Sequence, residues 1–208
     1  MTSNSLSKRD VAAVVAQHDP DDYVRSIGRR RDSELQFDPA ALPSDLPVML
    51  DTGFYISRLK RKLTRPILDF VESRPVLHSG IACGELAVSV GILTPEHPDT
   101  PAARKPIMNL LATIDMDQTV APSAAAWSEA GVIAGILART QHPNRSSREP
   151  SSVEKCCREG KRRKLLNDAL IFLSAVESNA VLVSGNIKDV DLLLRFKPGA
   201  YVLLFRAP

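Results

Sequence analysis

Short apolar runs alternate with longer segments of mixed polarity from Pro47 to the C-terminus. A strand that is covered on both faces has no polar side, so a short and wholly apolar run predicts a buried strand. Three runs fit this description: VML (48–50), AVLV (180–183) and YVLLF (201–205). Two further segments begin with a short strand-like stretch: VLHS (76–79) and TV (119–120).

The segments between these runs are predicted to be helical. Pro66 must kink or split the first of them, because proline removes a helical hydrogen bond and clashes with the preceding turn. Trp127 lies in an alanine-rich segment and is expected to pack in the core. Strands that alternate with helices predict a three-layer α/β/α fold, in which helices cover both faces of a central parallel sheet. The helical segments are predicted at 55–73, 81–93, 102–114, 123–139 and 164–179.

Residues 1–46 differ from the rest of the chain and are interpreted as an N-terminal extension to a domain that spans residues 47–208. The extension contains the basic cluster Arg29–Arg31, an acidic run at residues 19–22 and several proline turns. A short helix is predicted over residues 7–18. Both a helical flap over the main domain and a flexible arm agree with this composition.

Composition and charge fit one α/β domain in a reducing cytoplasm. The chain has 208 residues, a net charge of +3 and three cysteines. This cysteine content matches neither a disulfide framework nor a zinc site. No segment approaches the about 18 unbroken apolar residues of a membrane span, so no membrane partner is expected. A second polar region, residues 140–160, is rich in serine and charge and is predicted to be a loop.

Four carboxylates lie where this architecture gathers polar groups, which is beyond the carboxyl ends of the parallel strands. Asp51 ends the first strand, Glu85 and Asp168 lie in predicted helices, and Asp189 follows the AVLV strand, with Asn186 three residues before it. Each residue also has an ordinary structural interpretation. Aspartates cap helices and occupy turns, and a helical glutamate is usually solvated. The order of the four along an α/β pattern is the stronger signal.

Carboxylates that converge repel one another unless a cation compensates. Oxygen ligands with open positions suit Mg²⁺ or Mn²⁺, and a divalent ion held in this way supports hydrolysis of a phosphodiester. Thr52 and Ser184 are predicted to orient the carboxylates as hydrogen-bond donors.

Three stretches in this order resemble the PIN domain family, and in particular the toxin ribonucleases of the VapBC type. They are VMLDTGFYISRL, VLHSGIACGELAVSVGIL and LLNDALIFLSAVESNAVLVSGNIKDVDLL. The resemblance covers residues 47–205 and implies a PIN-like fold, Mg²⁺- or Mn²⁺-dependent endoribonuclease activity, an RNA substrate and a cognate antitoxin. The 46-residue extension and the polar 140–160 region depart from the family pattern.

Carried over residue by residue, the resemblance implies that Asp51, Glu85 and Asp168 are catalytic metal ligands, with Asp189 as the fourth. Asn186 stands where many family members have aspartate, and it is expected to make a polar contact without charge. Whether the protein forms a homodimer stays open.

Two basic clusters are candidates for contacts with the RNA backbone, because lysine and arginine neutralise phosphates. A solvated helix face explains the same clusters equally well. Their members are Arg58, Lys60, Arg61, Lys62, Arg162 and Arg163.

Two alternatives to a ribonuclease toxin remain at this stage. One is a PIN module with a weakened site that binds RNA or a protein without cleavage, which the uncharged Asn186 favours. The other is a signalling receiver in which Asp51 accepts a phosphoryl group. Residues 43–50 (PSDLPVML) lack the additional acidic pair that a receiver requires, which disfavours this second alternative.

Overall fold

The computed structural model describes residues 11–141, 157 and 159–206. Within these residues, five parallel strands form one sheet in the order β3-β2-β1-β4-β5, and helices flank it, so the predicted three-layer α/β/α class is confirmed. The strands are β1 (Val48–Leu50), β2 (Val76–Ser79), β3 (Thr119–Val120), β4 (Val181–Ser184) and β5 (Val202–Leu204).

Each of the five predicted helical segments contains helix, and a further helix covers residues 187–193, where none was predicted and Asp189 was expected in a turn. Pro66 lies in the first turn of its own helix, so the first predicted helical segment is split in two, and Arg61 adopts a left-handed conformation (φ 54°) in the connection. The helices are α1 (Val11–Val15), α2 (Thr52–Leu59), α3 (Arg65–Glu72), α4 (Gly80–Gly91), α5 (Thr100–Leu111), α6 (Ala124–Gln141), α7 (Glu159–Glu177) and α8 (Ile187–Leu193). None of the helices in the described part of the chain combines the length and apolar character needed to cross a bilayer.

The ends of the polar region predicted as a loop are helical, because α6 continues to Gln141 and α7 begins at Glu159. Residues 142–156 and 158 lie outside the described residues. The first four residues of the helix predicted over residues 7–18 also lie outside them, and the described helix there is α1.

The core consists of the central strands and the helices packed on them. All residues of β1, β4 and β5 are buried, and α7 packs against both β4 and α6. Trp127 is 46% exposed, so the expectation of core packing was wrong. The core side of α6 includes Ala126, Ala130 and Ile133, and Trp127 follows Ala126 by one residue, which turns its side chain away from that side.

Residues 11–46, here called the N-terminal strap, pack on the domain. Helix α1 lies on α6, and buried His18 contacts buried Glu129 of α6 through Nε2 and Oε1 at 2.6 Å. Near the other end of the strap, the Leu204 N–H donates to the Gln36 carbonyl at 2.8 Å. The strap therefore supplies a backbone partner to β5, the strand at one edge of the sheet.

The direction of strand succession reverses at β1. From β1 the chain proceeds to β2 and β3 on one side, whereas β4 and β5 occupy the other side. Leu50 pairs with Val183, so Asp51 and Ser184 come next to each other where the two strands end. Ligands bind at such switch points in open α/β sheets. Receiver domains have the order β2-β1-β3-β4-β5, so the order observed here argues against the receiver alternative.

Candidate active site

Asp51 is both a helix cap and a member of the carboxylate group. Its Oδ1 accepts a hydrogen bond from the Phe54 N–H at 2.6 Å, which caps α2, and its Oδ2 accepts one from the Ser184 hydroxyl. The pKa of Asp51 is raised to about 6, mainly by burial and in part by the negative charge of Glu85, while its hydrogen bonds act in the opposite direction. The cap and site interpretations of this residue are therefore compatible.

Glu85 lies on α4, and two side-chain donors fix its carboxylate. The Thr52 hydroxyl donates to Oε2, and Asn167 Nδ2 donates to Oε1 at 2.8 Å. These three side chains come from α2, α4 and α7. The carboxylate is therefore held at the point where three helices meet, although Glu85 alone resembled a solvated helix residue in sequence.

Asp168 lies in the middle of α7 and not at its start, because the helix begins at Glu159, so its interpretation as a helix cap was wrong. Lys164, one turn earlier, places its ammonium 3.4 Å from Asp168 Oδ2 and donates a hydrogen bond to Asp189 Oδ2. Asp189 lies in the first turn of α8. One lysine therefore bridges carboxylates from two helices.

The two bridged carboxylates have opposite pKa shifts. Burial raises the pKa of Asp168 to about 7, and the charges of Asp189 and Glu85 contribute, although Lys164 opposes them. Burial also acts to raise the pKa of Asp189. However, Lys164, Asn186 and Arg29 outweigh that effect and lower the pKa of Asp189 below its ordinary value. The four carboxylates are thus electrostatic neighbours, each influenced by at least one of the others or by their shared lysine.

The turn after β4 is held close to the site. The Asn186 N–H donates to the Ser184 hydroxyl at 3.0 Å, and its side-chain amide helps to lower the pKa of Asp189. Gly185 lies between Ser184 and Asn186 in the chain. A Cβ on Gly185 would lie 3.0 Å from the ring of Phe205, so a larger residue would force the ring or the turn to move. This close approach keeps Asn186 next to both Ser184 and Asp189.

The predicted basic residues separate into two groups. Arg163 lines a cavity of about 630 Å³ together with Thr52, Glu85 and Lys164. Four of the predicted basic residues lie on or just after α2: Arg58, Lys60, Arg61 and Lys62. All four are exposed, and none of them lines that cavity. Arg162 is half-buried and does not line it either.

The carboxylates of this site supply the oxygen ligands that a hard divalent cation prefers. Within the described residues, no three His, Cys, Asp or Glu side chains meet as a ready metal-binding group. The contacts explain this, because both oxygens of Glu85 accept hydrogen bonds and Lys164 lies between Asp168 and Asp189. Asp168 Oδ2 is buried and makes no hydrogen bond within the described residues, and its contact there is the ion pair with the Lys164 ammonium at 3.4 Å. Clustered carboxylate oxygens of this kind fit Mg²⁺ or Mn²⁺ in chemical type.

Four residues near the site were not assigned to the carboxylate group from the sequence. Lys164 has a detectable signal, since residues four apart on a helix are neighbours, and Asn167 adjoins Asp168 in sequence. The other two have no local signal: Arg29, whose charge reaches Asp189, and Asp191, which binds the strap.

No family model matches the chain, and no curated protein matches it. Solved structures are similar to part of it, among them two VapBC complexes. VapBC2 from Rickettsia felis, bound to a DNA fragment from its promoter, is 16% identical over 77% of this chain and 99% of that chain, with a TM-score of 0.47. DNA-bound VapBC from Salmonella typhimurium is 19% identical over 76% of this chain and 98% of that chain, with the same TM-score. Similarity this low does not establish a shared activity.

Proposed function

We propose that this protein is a metal-dependent endoribonuclease whose site contains Asp51, Glu85, Asp168 and Asp189. The observation that carries this proposal is the position of these carboxylates at the switch point of a parallel sheet. There they influence one another electrostatically, and buried Asp168 Oδ2 makes an ion pair with Lys164 but no hydrogen bond within the described residues. Such a site attracts a divalent cation and, through it, a phosphodiester.

The residues around the carboxylates hold them in place. Ser184 and the N–H of Phe54 fix Asp51, while Thr52 and Asn167 fix Glu85. A bound Mg²⁺ or Mn²⁺ lowers the pKa of its water and neutralises charge on the scissile phosphate. Asn186 contributes an amide without charge next to Asp189.

Lys164 must move before a divalent ion binds to both Asp168 and Asp189. Its ammonium already lies beside both carboxylates, and two cations cannot share that position without strong repulsion. Lys164 is half-exposed and on a flexible side chain, so it can turn toward solvent. In this proposal the lysine serves as the counter-ion of the metal-free protein.

A cleavage assay tests the proposal. Single-stranded and structured RNAs are incubated with the full-length protein in Mg²⁺, in Mn²⁺ or in EDTA, and the products are resolved by length. We expect internal cleavage with either metal, none in EDTA, and loss of cleavage in Asp51→Asn. The matched control is Asp69→Asn, which removes one charge from an exposed residue of α3. Equal cleavage by both variants would contradict the assigned site.

We further propose that the ribonuclease is the toxin of a toxin–antitoxin pair. The resemblance of its three sequence stretches to VapBC-type toxins supports this role, and an antitoxin arginine placed against the carboxylates would be favourable. Expression of the chain alone should slow bacterial growth, and Asp168→Asn should relieve the effect. Rapid growth despite abundant folded wild-type protein would contradict this role.

The second candidate is a module of the same fold that binds RNA or a protein without cleavage. The specific observation that favours it is Lys164, which compensates the acidic group internally. RNA binding in EDTA that Mg²⁺ neither strengthens nor converts into cleavage would support this candidate over the nuclease.

A further inference from the structure

A second cavity, of about 430 Å³, lies between the N-terminal strap and the turn that follows β4. The strap contributes two arginines to its wall, and α8 with its preceding turn forms much of the other side. The wall residues that matter for the argument are Arg29, Arg30, Asn186, Lys188, Asp191 and Arg206.

The charges that line this cavity are predominantly positive. Of its four basic residues, Arg30 is paired with Asp191 and Arg206 with Asp32. Arg29 and Lys188 are exposed, and no ion pair with another described residue engages either of them. Two cations therefore remain available to an anion that enters the cavity.

Arg29 is held in position by both of its neighbours in sequence. The carbonyl of Gly28 accepts a hydrogen bond from Arg195 at 3.0 Å. On the other side, the N–H and Nε of Arg30 donate to the two oxygens of buried Asp191, at 2.9 and 2.6 Å. The backbone of Arg29 is fixed at two points, so less conformational entropy is lost when its side chain binds a ligand.

Two observations connect the cavity with the carboxylates. Asn186 and Arg29 both line the cavity, and both the Asn186 side chain and the charge of Arg29 contribute to the lowered pKa of Asp189. In addition, Nη2 of Arg30 is buried without a hydrogen-bond partner among the described residues. This donor is enclosed by the protein, so the exposed cations Arg29 and Lys188 are the ones that an anion in the cavity can reach.

We propose that this cavity binds a backbone phosphate of the RNA strand, next to the phosphate held by the carboxylates, with Arg29 and Lys188 as its main contacts. The proposal rests on the proposed function and adds a role for the strap in substrate binding. A nucleic-acid strand is the favoured ligand because its successive phosphates can occupy the carboxylate site and the neighbouring cavity together.

Fluorescence anisotropy tests this proposal with the full-length protein and a labelled single-stranded RNA in EDTA, where no cleavage occurs. The variants are Arg29→Ala, Lys188→Ala and the double variant. The matched control is Arg25→Ala, which removes an exposed charge from the same strap but does not line the cavity. Melting curves verify that all variants are folded.

We expect each single variant to weaken RNA binding several-fold at low salt. The slope of log K against log salt should fall by about 0.7 for each phosphate contact that is lost, and by about twice that in the double variant. Arg25→Ala should keep nearly the full slope. Affinities and slopes in Arg29→Ala and Lys188→Ala that equal those of Arg25→Ala would overturn the proposal.

Inorganic phosphate is the second probe, because a free anion presents the same chemistry. If phosphate stabilises the wild type against heat but not the double variant, while both bind RNA equally, the cavity is a free-anion site and the RNA proposal is overturned. If the wild type cleaves RNA and the variants bind it normally, the proposed phosphate site fails while the nuclease survives. If the variants lose binding but the wild type never cleaves, the phosphate site survives and the nuclease fails.

Discussion

Lys164 places a positive charge among carboxylates that would otherwise repel one another, and its position makes a specific prediction about metal affinity. Lys164→Met keeps much of the side-chain volume and removes the ammonium, so a divalent ion no longer has to displace it. We expect Mn²⁺ to bind about tenfold more tightly, equivalent to about 1.4 kcal/mol. Calorimetric titration of the metal-free protein measures this directly.

The matched control is Lys161→Met, an exposed residue in the first turn of the same helix. It should leave Mn²⁺ affinity nearly unchanged. Weaker metal binding by Lys164→Met would show that the lysine assists the metal, and would contradict the competition described above.

Asp168 makes a prediction about pH, because its pKa in the folded protein, about 7, exceeds the value of 3.8 expected without burial. The folded state binds this proton more strongly than the unfolded chain does. The associated stability is therefore fully present below pH 3.8 and is lost as the pH rises through about 7. Asparagine has no charge to bury, so Asp168→Asn should be more stable than the wild type above pH 7.

Urea unfolding in EDTA between pH 4 and pH 8 measures the difference in the free energy of unfolding. It should be small near pH 4, grow toward pH 7 and then level off at roughly 2 kcal/mol or more. Asp69→Asn controls for the loss of one carboxylate from a helix surface. An advantage of Asp168→Asn that is the same at every pH would contradict the burial of this charge.

At the scale of elements, α8 connects the carboxylate site with the strap, since Asp189 faces Lys164 and Asp191 holds Arg30. Asp191 is 2% exposed, so Asp191→Ala leaves a partly buried guanidinium without its main partner. We expect a loss of roughly 3 kcal/mol in the free energy of unfolding. Limited proteolysis should also cut the strap faster in the variant.

Arg206→Ala is the comparison for Asp191→Ala. It breaks an exposed pair with Asp32 that also fastens the strap, and exposed pairs contribute at most about 1 kcal/mol. If both variants lose the same stability and are cut at the same rate, Asp191 is not the main attachment of the strap.

The elements of the domain could largely be predicted from local patterns. Apolar runs marked the buried strands, and the chemistry of proline marked the boundary at Pro66, because both signals act within a few residues. The order of strands and helices then indicated where Asp51 and Asp189 would lie, since parallel strands bring their carboxyl ends to one edge.

Contacts between distant segments could not be predicted in this way. Arg30 and Asp191 are 161 residues apart, and the composition of the strap fits an attached flap and a free arm equally well. Lys164 lies four residues from Asp168, yet the sequence does not show that its ammonium also reaches Asp189 on α8. Such contacts depend on how whole helices pack against one another. The local spacing of apolar and polar residues does not determine that packing.

At the scale of the whole molecule, the strap stabilises surfaces that the domain alone would expose. Deletion of residues 1–46 would remove His18 from buried Glu129, Arg30 from Asp191 and the Gln36 carbonyl from the edge strand β5. Unpaired edge strands favour association between chains. We expect the truncated protein to have a lower melting temperature and to form oligomers, which light scattering after size exclusion would detect.

A truncated protein that melts like the full-length chain and stays in the same oligomeric state would contradict this stabilising role. His18→Gln, which removes the imidazole that contacts Glu129 and the ring of Phe196, is a milder variant for comparison. It should lower the melting temperature by less than the deletion does.

The pairing of β1 with β4 also has a consequence for protein synthesis. Val48 is paired with Val181, and Asp51 receives its hydrogen bond from Ser184, 133 residues later in the chain. A ribosome must therefore translate most of the message before the two halves of the carboxylate group can meet. In the proposed nuclease, each newly made chain would therefore lack a complete site until nearly all of it has been synthesised.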